Sequence, residues 1–140
     1  MDTKKEFTRL MATQSEIALA TCVENQPNVR IVNFYYDEER EVLYFTSFAD
    51  NEKVKEFESN NKISFTTIPH QGNEHIKAQG CVKKSSRTIF DIAEHFIKKI
   101  PDYKDTIEQA GQYLILFEIT FDTAMVTLDF ENIETYTLAD

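Results

Sequence analysis

Arg30 stands between Val29 and Ile31 in the run PNVRIVNFYY, residues 27–36, whose other members are those of a strand buried on both sides. Taking a guanidinium out of water without a partner costs several kcal/mol. Arg30 must therefore sit at a wet rim, against a protein carboxylate, or against an anionic ligand. With 24 Asp and Glu in the chain, a salt bridge or plain exposure weighs as much as a ligand. Lys53 raises a second question. It falls in the first turn of a helix that the sequence starts near Asp50, where a cation opposes the helix dipole by roughly 0.3–1 kcal/mol. A solvated lysine is the ordinary reading. A phosphate at that helix start, however, would be favoured by the free backbone N–H groups and by Lys53 together, and Arg30 on the neighbouring strand could reach the same anion. Thr46 and Ser47 end the strand that feeds this helix, and their hydroxyls can hydrogen-bond a polar ring edge.

His70 and His75, with Glu74 beside them, could hold a metal. Pro69 and Gly72 make the segment more simply a turn, and no metal is expected. His95 lies off the apolar stripe of its helix and is expected in water. Cys22 and Cys81 have no CxxC or Cys/His spacing around them and read as small buried hydrophobes.

The 140 residues carry a net charge of −9 and no basic block. Duplex nucleic acid is bound by neutralising phosphates with Lys and Arg, so nucleic acid and anionic membrane surfaces are not expected partners. No apolar stretch approaches the ~20 residues of a membrane span. The start MDTKKEFTRL lacks the apolar centre of a signal peptide, and the expected location is the cytoplasm. Only Gly72, Gly80 and Gly111 occur, so the clustered glycines of a phosphate cradle are missing. A phosphate here would be held by side chains or by a plain helix start.

The elements that must position Arg30 and Lys53 follow from periodicity. Residues 3–14 form a helix, with Thr3 and Glu6 at capping-box spacing and Phe7, Leu10 and Met11 as its stripe. Residues 16–23 form a strand with Ile17, Leu19 and Val23 on one face and the small Ala18, Ala20 and Cys22 on the other. The runs 29–37 and 41–47 return as strands, giving an antiparallel meander. A helix follows over 50–61, with Asp50 as N-cap. Strands follow over 62–68 and 74–84, the latter with Ile76, Ala78, Gly80 and Val82 on one face. Residues 86–100 give the clearest helix, with Lys98 and Lys99 suited to its negative C-terminal end. A short helix then runs to Gly111 as its C-terminal stop. Residues 113–138 give two or three further strands. The sum is a mainly β chain with peripheral helices: one domain over residues 1–140, antiparallel and Greek-key-like, with about six to eight strands in a barrel or sandwich.

The segment PNVRIVNFYYDEEREVLYFTSFADNEKVKEF resembles the flavin-binding half of the pyridoxamine 5′-phosphate oxidase-like proteins. The matching pattern is Pro27-x-x-Arg30-x-Val32, a hairpin return ending in LYFTS, a lysine in the helix start, then NNKISFTT and a later strand with Gly80. It covers residues 7–84 well and the rest loosely. The resemblance implies a split β-barrel that binds FMN and works as a homodimer, with the flavin at the subunit interface. It implies that Arg30 contacts the FMN, that Val32 and Asn33 follow along the flavin-lining strand, and that Phe45 and Thr46 lie near the ring with Ser47 beside them. Lys53 would hold the phosphate, and His75 would reach the flavin from the strand after the loop.

Departures bear on activity. Vitamin oxidases place two basic residues at the helix start, and here Glu52 precedes Lys53. Tyr35 stands where those enzymes hold substrate with a lysine, and there is no Trp. A true pyridoxamine phosphate oxidase is not expected. The resemblance instead implies a flavin-dependent oxidoreductase acting on a small molecule, with NAD(P)H as possible electron donor. The alternative is a non-catalytic flavin- or haem-binding or sensing protein, since no acid–base pair is recognisable. A barrel binding an apolar ligand, with Arg30 and Lys53 as surface charges, is a third reading.

Overall fold

A computed structural model gives the architecture of residues 1–49 and 52–138. In chain order the elements are α1 (Thr3–Thr13), β1 (Glu16–Val23), β2 (Gln26–Asn33), β3 (Tyr35–Asp37), β4 (Val42–Phe48), α2 (Glu52–Ser59), β5 (Lys62–Thr67) and β6 (His75–Lys84). They continue as α3 (Ile89–Lys99), α4 (Tyr103–Ala110), β7 (Leu114–Thr120), β8 (Thr123–Thr127) and β9 (Ile133–Thr137). Among the described residues nine strands form, against the six to eight expected, because the run 29–37 breaks at Phe34 and the last third yields three. Phe34 is fully buried at that break. The Asp50 cap lies outside the described residues.

All pairings are antiparallel, in the order β2-β1-β5-β6-β7-β4-β3, with β8 on β6 and β9 on β8. The expected meander is thus interrupted. β1 and β2 do make a hairpin, but β4 pairs with β7 and reaches only the short β3 on its other side. β2 lies against β4 with no ladder between them among the described residues, which closes the sheet into a split barrel.

The two faces of the strands explain the layout. Ile17 and Leu19 of β1, Phe45 of β4, Phe65 of β5, Ile76 of β6 and Ile119 of β7 point inward and form the barrel core. β4 and β7 are covered on the outside too: Tyr44 and Leu116 pack under Ile89, Ile92, Phe96 and Tyr103 of α3 and α4. Burial on both sides is why VLYF reads as an unbroken apolar run. β2 differs. Val29 and Ile31 are each 62% exposed, so the strand is covered on one side only, and there only partly, contrary to the sequence reading.

Helix ends show local physics at work. α1 is capped by Asp2, whose side chain accepts the Lys5 N–H at 3.1 Å, while Thr3, the expected cap, donates to Glu134. α3 begins after Thr88, whose N–H donates to Asp91 at 2.8 Å, half of a capping box. Gly111 has φ −54, so it is not the left-handed stop expected. Its value is space: a Cβ there would come within 2.8 Å of Phe90 Cζ.

Lys99 does not stay at the end of its own helix. Its ammonium donates to the Met11 and Phe34 carbonyls, each at 3.0 Å, and sits 3.4 Å from the Phe34 ring centroid. It thereby bolts α3 to the end of α1 and to the break between β2 and β3. Burial lowers its pKa to about 7. Between pH 7 and 10.5 the unfolded chain holds a proton that folded Lys99 releases, so stability rises with pH across that window and levels off below it. Lys99→Met is expected to be less stable by about 1–3 kcal/mol at pH 9, because two carbonyls lose their donor. The gap should narrow toward pH 7, at no more than about 1.4 kcal/mol per unit. Urea midpoints at pH 7, 8 and 9 check this; a gap independent of pH would mean that Lys99 keeps its proton throughout.

Candidate functional site

Arg30 lies on the inward face of β2 with Val32, its partner residues across the ladder being Leu19 and Ile17. This is the end of the barrel where the β1–β2 hairpin turns. α2 sits over that end, held by the buried Phe57 and by Asn60 Nδ2, which donates to the Cys22 carbonyl at 2.9 Å. Lys53 and Glu56 are three apart on α2 and therefore share a face. Glu56 reaches Arg30, and Lys53 lies near enough to feel the Arg30 charge.

The partner that the guanidinium requires is Glu56. Arg30 Nη2 meets Glu56 Oε1 at 2.8 Å, and Arg30 Nη1 donates to Thr21 Oγ1 at 2.9 Å. Both charged side chains are 17% exposed. Glu56 also accepts from Thr21 and, at 3.1 Å, from Asn28 Nδ2. Burial pushes the Glu56 carboxyl up, but the bonds from Thr21, Arg30 and Asn28 outweigh it and hold the pKa below its ordinary value. The Lys53 amine is lowered, first by burial and then by the Arg30 charge, with Glu56 opposing. Arg30 and Glu56 are thus paired at this end, and Lys53 on α2 is near enough to feel both charges. Thr21, Asn28 and Glu56 were not among the residues expected from the sequence. The one signal for Glu56 was its spacing from Lys53 on a helix.

The other expected site residues are placed elsewhere. Val32 packs partly buried against the barrel core. Asn33 alternates to the opposite face of β2 from Arg30. Phe45 is fully buried, stacked on Phe117 with centroids 5.4 Å apart and edge-on to Phe57. Its ring belongs to the core rather than to an open ring site. Thr46 faces the other way and hydrogen-bonds Tyr103 Oη beneath α4. Ser47 is buried, with its hydroxyl on the Phe48 carbonyl at 3.4 Å. His75 opens β6 on its outward face, and its Nδ1–H donates to the Asn73 carbonyl at 2.7 Å. The rung of Arg30 runs through Leu19 and Phe65 to Ala78, so His75 lies three residues off that rung, across the sheet. Tyr35 stacks between Tyr44 and His95, and His95 is exposed, as expected, with one face on that ring. His70 lies beside the Ser15 hydroxyl at 3.3 Å. Among the described residues no His, Cys, Asp and Glu group has metal-binding geometry.

The outward face of β1, β2, β5 and β6 carries the small residues singled out in the sequence. Ala18 and Ala20 pair across the ladder with Ile31 and Val29 on one side and with Thr66 and Ser64 on the other. A groove of about 580 Å³ runs along it, bordered by Ala20, Pro27, Ser64 and both cysteines. Cys22 is exposed and Cys81 half-buried, so neither is the core hydrophobe expected. No described helix is long and apolar enough to cross a membrane.

Known proteins agree with this architecture. General Stress Protein 26 from Bacillus anthracis superposes with a TM-score of 0.76 at 16% identity, over 99% of this chain and 100% of that one. A FAD-binding protein from Mesorhizobium loti gives 0.65 at 15% identity, over 86% and 90%. A haem-binding protein from Mycobacterium smegmatis gives 0.77 at 9% identity; it covers 98% of this chain, which spans only 58% of that protein. At these identities the likeness is one of fold. Comparison with curated protein sequences gives no match. A family profile described as pyridoxamine 5′-phosphate oxidase-like matches residues 10–133, from the end of α1 to the start of β9. That span contains the split barrel and the cluster of Arg30, Lys53 and Glu56, and the chain belongs to the pyridoxamine 5′-phosphate oxidase-like family.

Proposed function

We propose that this protein binds FMN by its phosphate at the Arg30–Lys53 end of the barrel and serves as a flavin-dependent oxidoreductase for a small molecule. The observation that carries this reading is the set of donors at that end: Arg30, the Thr21 hydroxyl and the Asn28 amide gather on one anion, the Glu56 carboxylate, on the helix that also carries Lys53. A phosphate monoester, close to a dianion at pH 7, would match the charge of two such cations. The Thr21 hydroxyl and the Asn28 amide, which both donate to Glu56, add neutral donors to the same spot. FMN, when bound, would supply the redox chemistry, and the chain's own part is to hold and shield it. NAD(P)H is the proposed electron donor.

A second copy of the chain is the proposed partner. Its support is the outward face on which Val29 and Ile31 stand exposed beside Ala18 and Ala20, so that two sheets could approach closely. In this reading the flavin lies between the subunits. The cytoplasm suits a chain with both cysteines free, because thiols stay reduced there.

Haem binding without turnover is the second reading. Glu56 favours it, since it leaves the cluster of Arg30, Lys53 and Glu56 with a net charge nearer that of a carboxylate's partner than of a dianion's. Absorbance of the purified protein with FMN or haem added separates the two. FMN titrations of Arg30→Gln and Lys53→Ala test the site itself. A charge-assisted contact is worth about 1.5–3 kcal/mol, so each variant should bind FMN roughly tenfold more weakly or worse. NAD(P)H should bleach the bound flavin, and sedimentation should report a dimer. Unchanged FMN affinity in both variants rejects the site.

A further inference from the structure

We propose that Glu56 is a built-in competitor for the anion site, so that a phosphate ester binds only by displacing its carboxylate from Arg30. This rests on the reading above and adds to it a residue that sets the affinity. The geometry is that of an occupied anion site. One carboxylate collects Arg30 Nη2 at 2.8 Å, Asn28 Nδ2 at 3.1 Å and the Thr21 hydroxyl, with Lys53 near enough to feel its charge. These are the donors a phosphate would need. They cannot serve both anions, because a carboxylate and a phosphate held on one guanidinium would repel each other.

Displacement need not disturb the core. Glu56 lies on the helix that caps the barrel rather than in its core, and its side chain keeps a route to water. Swung outward it would regain hydration, and Arg30 would pass to the ligand. Electrostatics then sets a threshold. With Glu56 in place the two cations face one negative charge and attract a further anion weakly. With Glu56 displaced they face a dianion with both charges matched. The arrangement admits a phosphate monoester in preference to a singly charged anion, and it keeps Arg30 paired when no ligand is present.

Glu56→Gln keeps the shape and removes the charge. It should bind FMN at least roughly tenfold more tightly than the wild type, whereas riboflavin, which lacks the phosphate, should bind both equally. Inorganic phosphate should raise the melting temperature of Glu56→Gln more than that of the wild type. Asn28→Asp, at an exposed position, adds a second carboxylate beside Arg30 and should weaken phosphate protection, which keeps the test open if Glu56→Gln folds poorly. If phosphate protects Glu56→Gln more strongly but FMN binds neither protein, the competitor stands and the flavin reading falls. Equal protection by phosphate in the wild type, Glu56→Gln and Asn28→Asp would overturn the competitor. So would weaker FMN binding by Glu56→Gln, which would make Glu56 a residue that positions Arg30 for the ligand.

Discussion

Gly80→Ala should cost about 3 kcal/mol or more of folding stability, although alanine ordinarily improves on glycine inside a strand by roughly 0.5–1 kcal/mol. The reason lies where β6 changes partners. Its first residues pair with β8 and its last with β7. The chain passes from β7 to β8 through Phe121 and Asp122 alongside Gly80. A Cβ on residue 80 would collide with the Thr120 carbonyl oxygen and lie 3.1 Å from Phe121 Cβ. The obstacle is mainly backbone, which cannot rotate away as a side-chain tip can. Relief requires β7 to move off β6, at the expense of ladder bonds near Cys81 and Thr120 and of the Phe121 packing on Phe7 and Phe65. Gly72→Ala is the contrast: its Cβ would meet open space, but its φ of +63 strains any other residue. Urea denaturation compares the variants directly. A Gly80→Ala protein as stable as the wild type would show that β6 and β7 have slack which these contacts deny.

Phe45→Ala is expected to lose about 3–5 kcal/mol, a large share of the 5–15 kcal/mol typical of a domain. The ring is fully buried and makes aromatic contacts with Phe57 of α2 and Phe117 of β7. Truncation would leave a cavity under the helix that carries Lys53 and Glu56, and rigid aromatic neighbours collapse poorly into such a space. Phe45→Leu separates packing from ligand contact. It refills most of the volume and should restore most of the stability. FMN affinity should then match the wild type, since the ring faces the core. A Phe45→Leu protein that is stable but binds FMN markedly more weakly would return Phe45 to the ring site that the family resemblance implies. Urea unfolding and flavin titration on the same samples supply both readouts.

The two cations of the candidate site were legible because their signals are local or ordered along the chain. Arg30 stands out as a charge in an apolar strand, and Lys53 as a cation at the wrong end of a helix. Both lie within one family pattern. The partner of Arg30 was not legible. Among 24 acidic residues, Glu56 becomes special only when α2 folds over the β1–β2 hairpin and brings it to Thr21 and Asn28. Phe45 and Thr46 show the same limit from the other side. Adjacent residues on a strand must point oppositely, and when both faces of β4 are covered, one enters the core and the other meets α4.

The mainly β, antiparallel character, the extents of β1, β5 and β6 to within a residue, and the helical stripe of α3 could all be read along the chain. Each depends on the period at which apolar side chains recur, and that period is written locally. Tertiary structure alone decided that β4 pairs with β7 instead of β2, that Lys99 leaves its helix for two distant carbonyls, and that Arg30 meets Glu56. Those choices join residues 26 to 88 positions apart in the chain. Such contacts form only when packing elsewhere offsets the entropy of closing the loops between them, and no local pattern records which of the possible closures that packing favours.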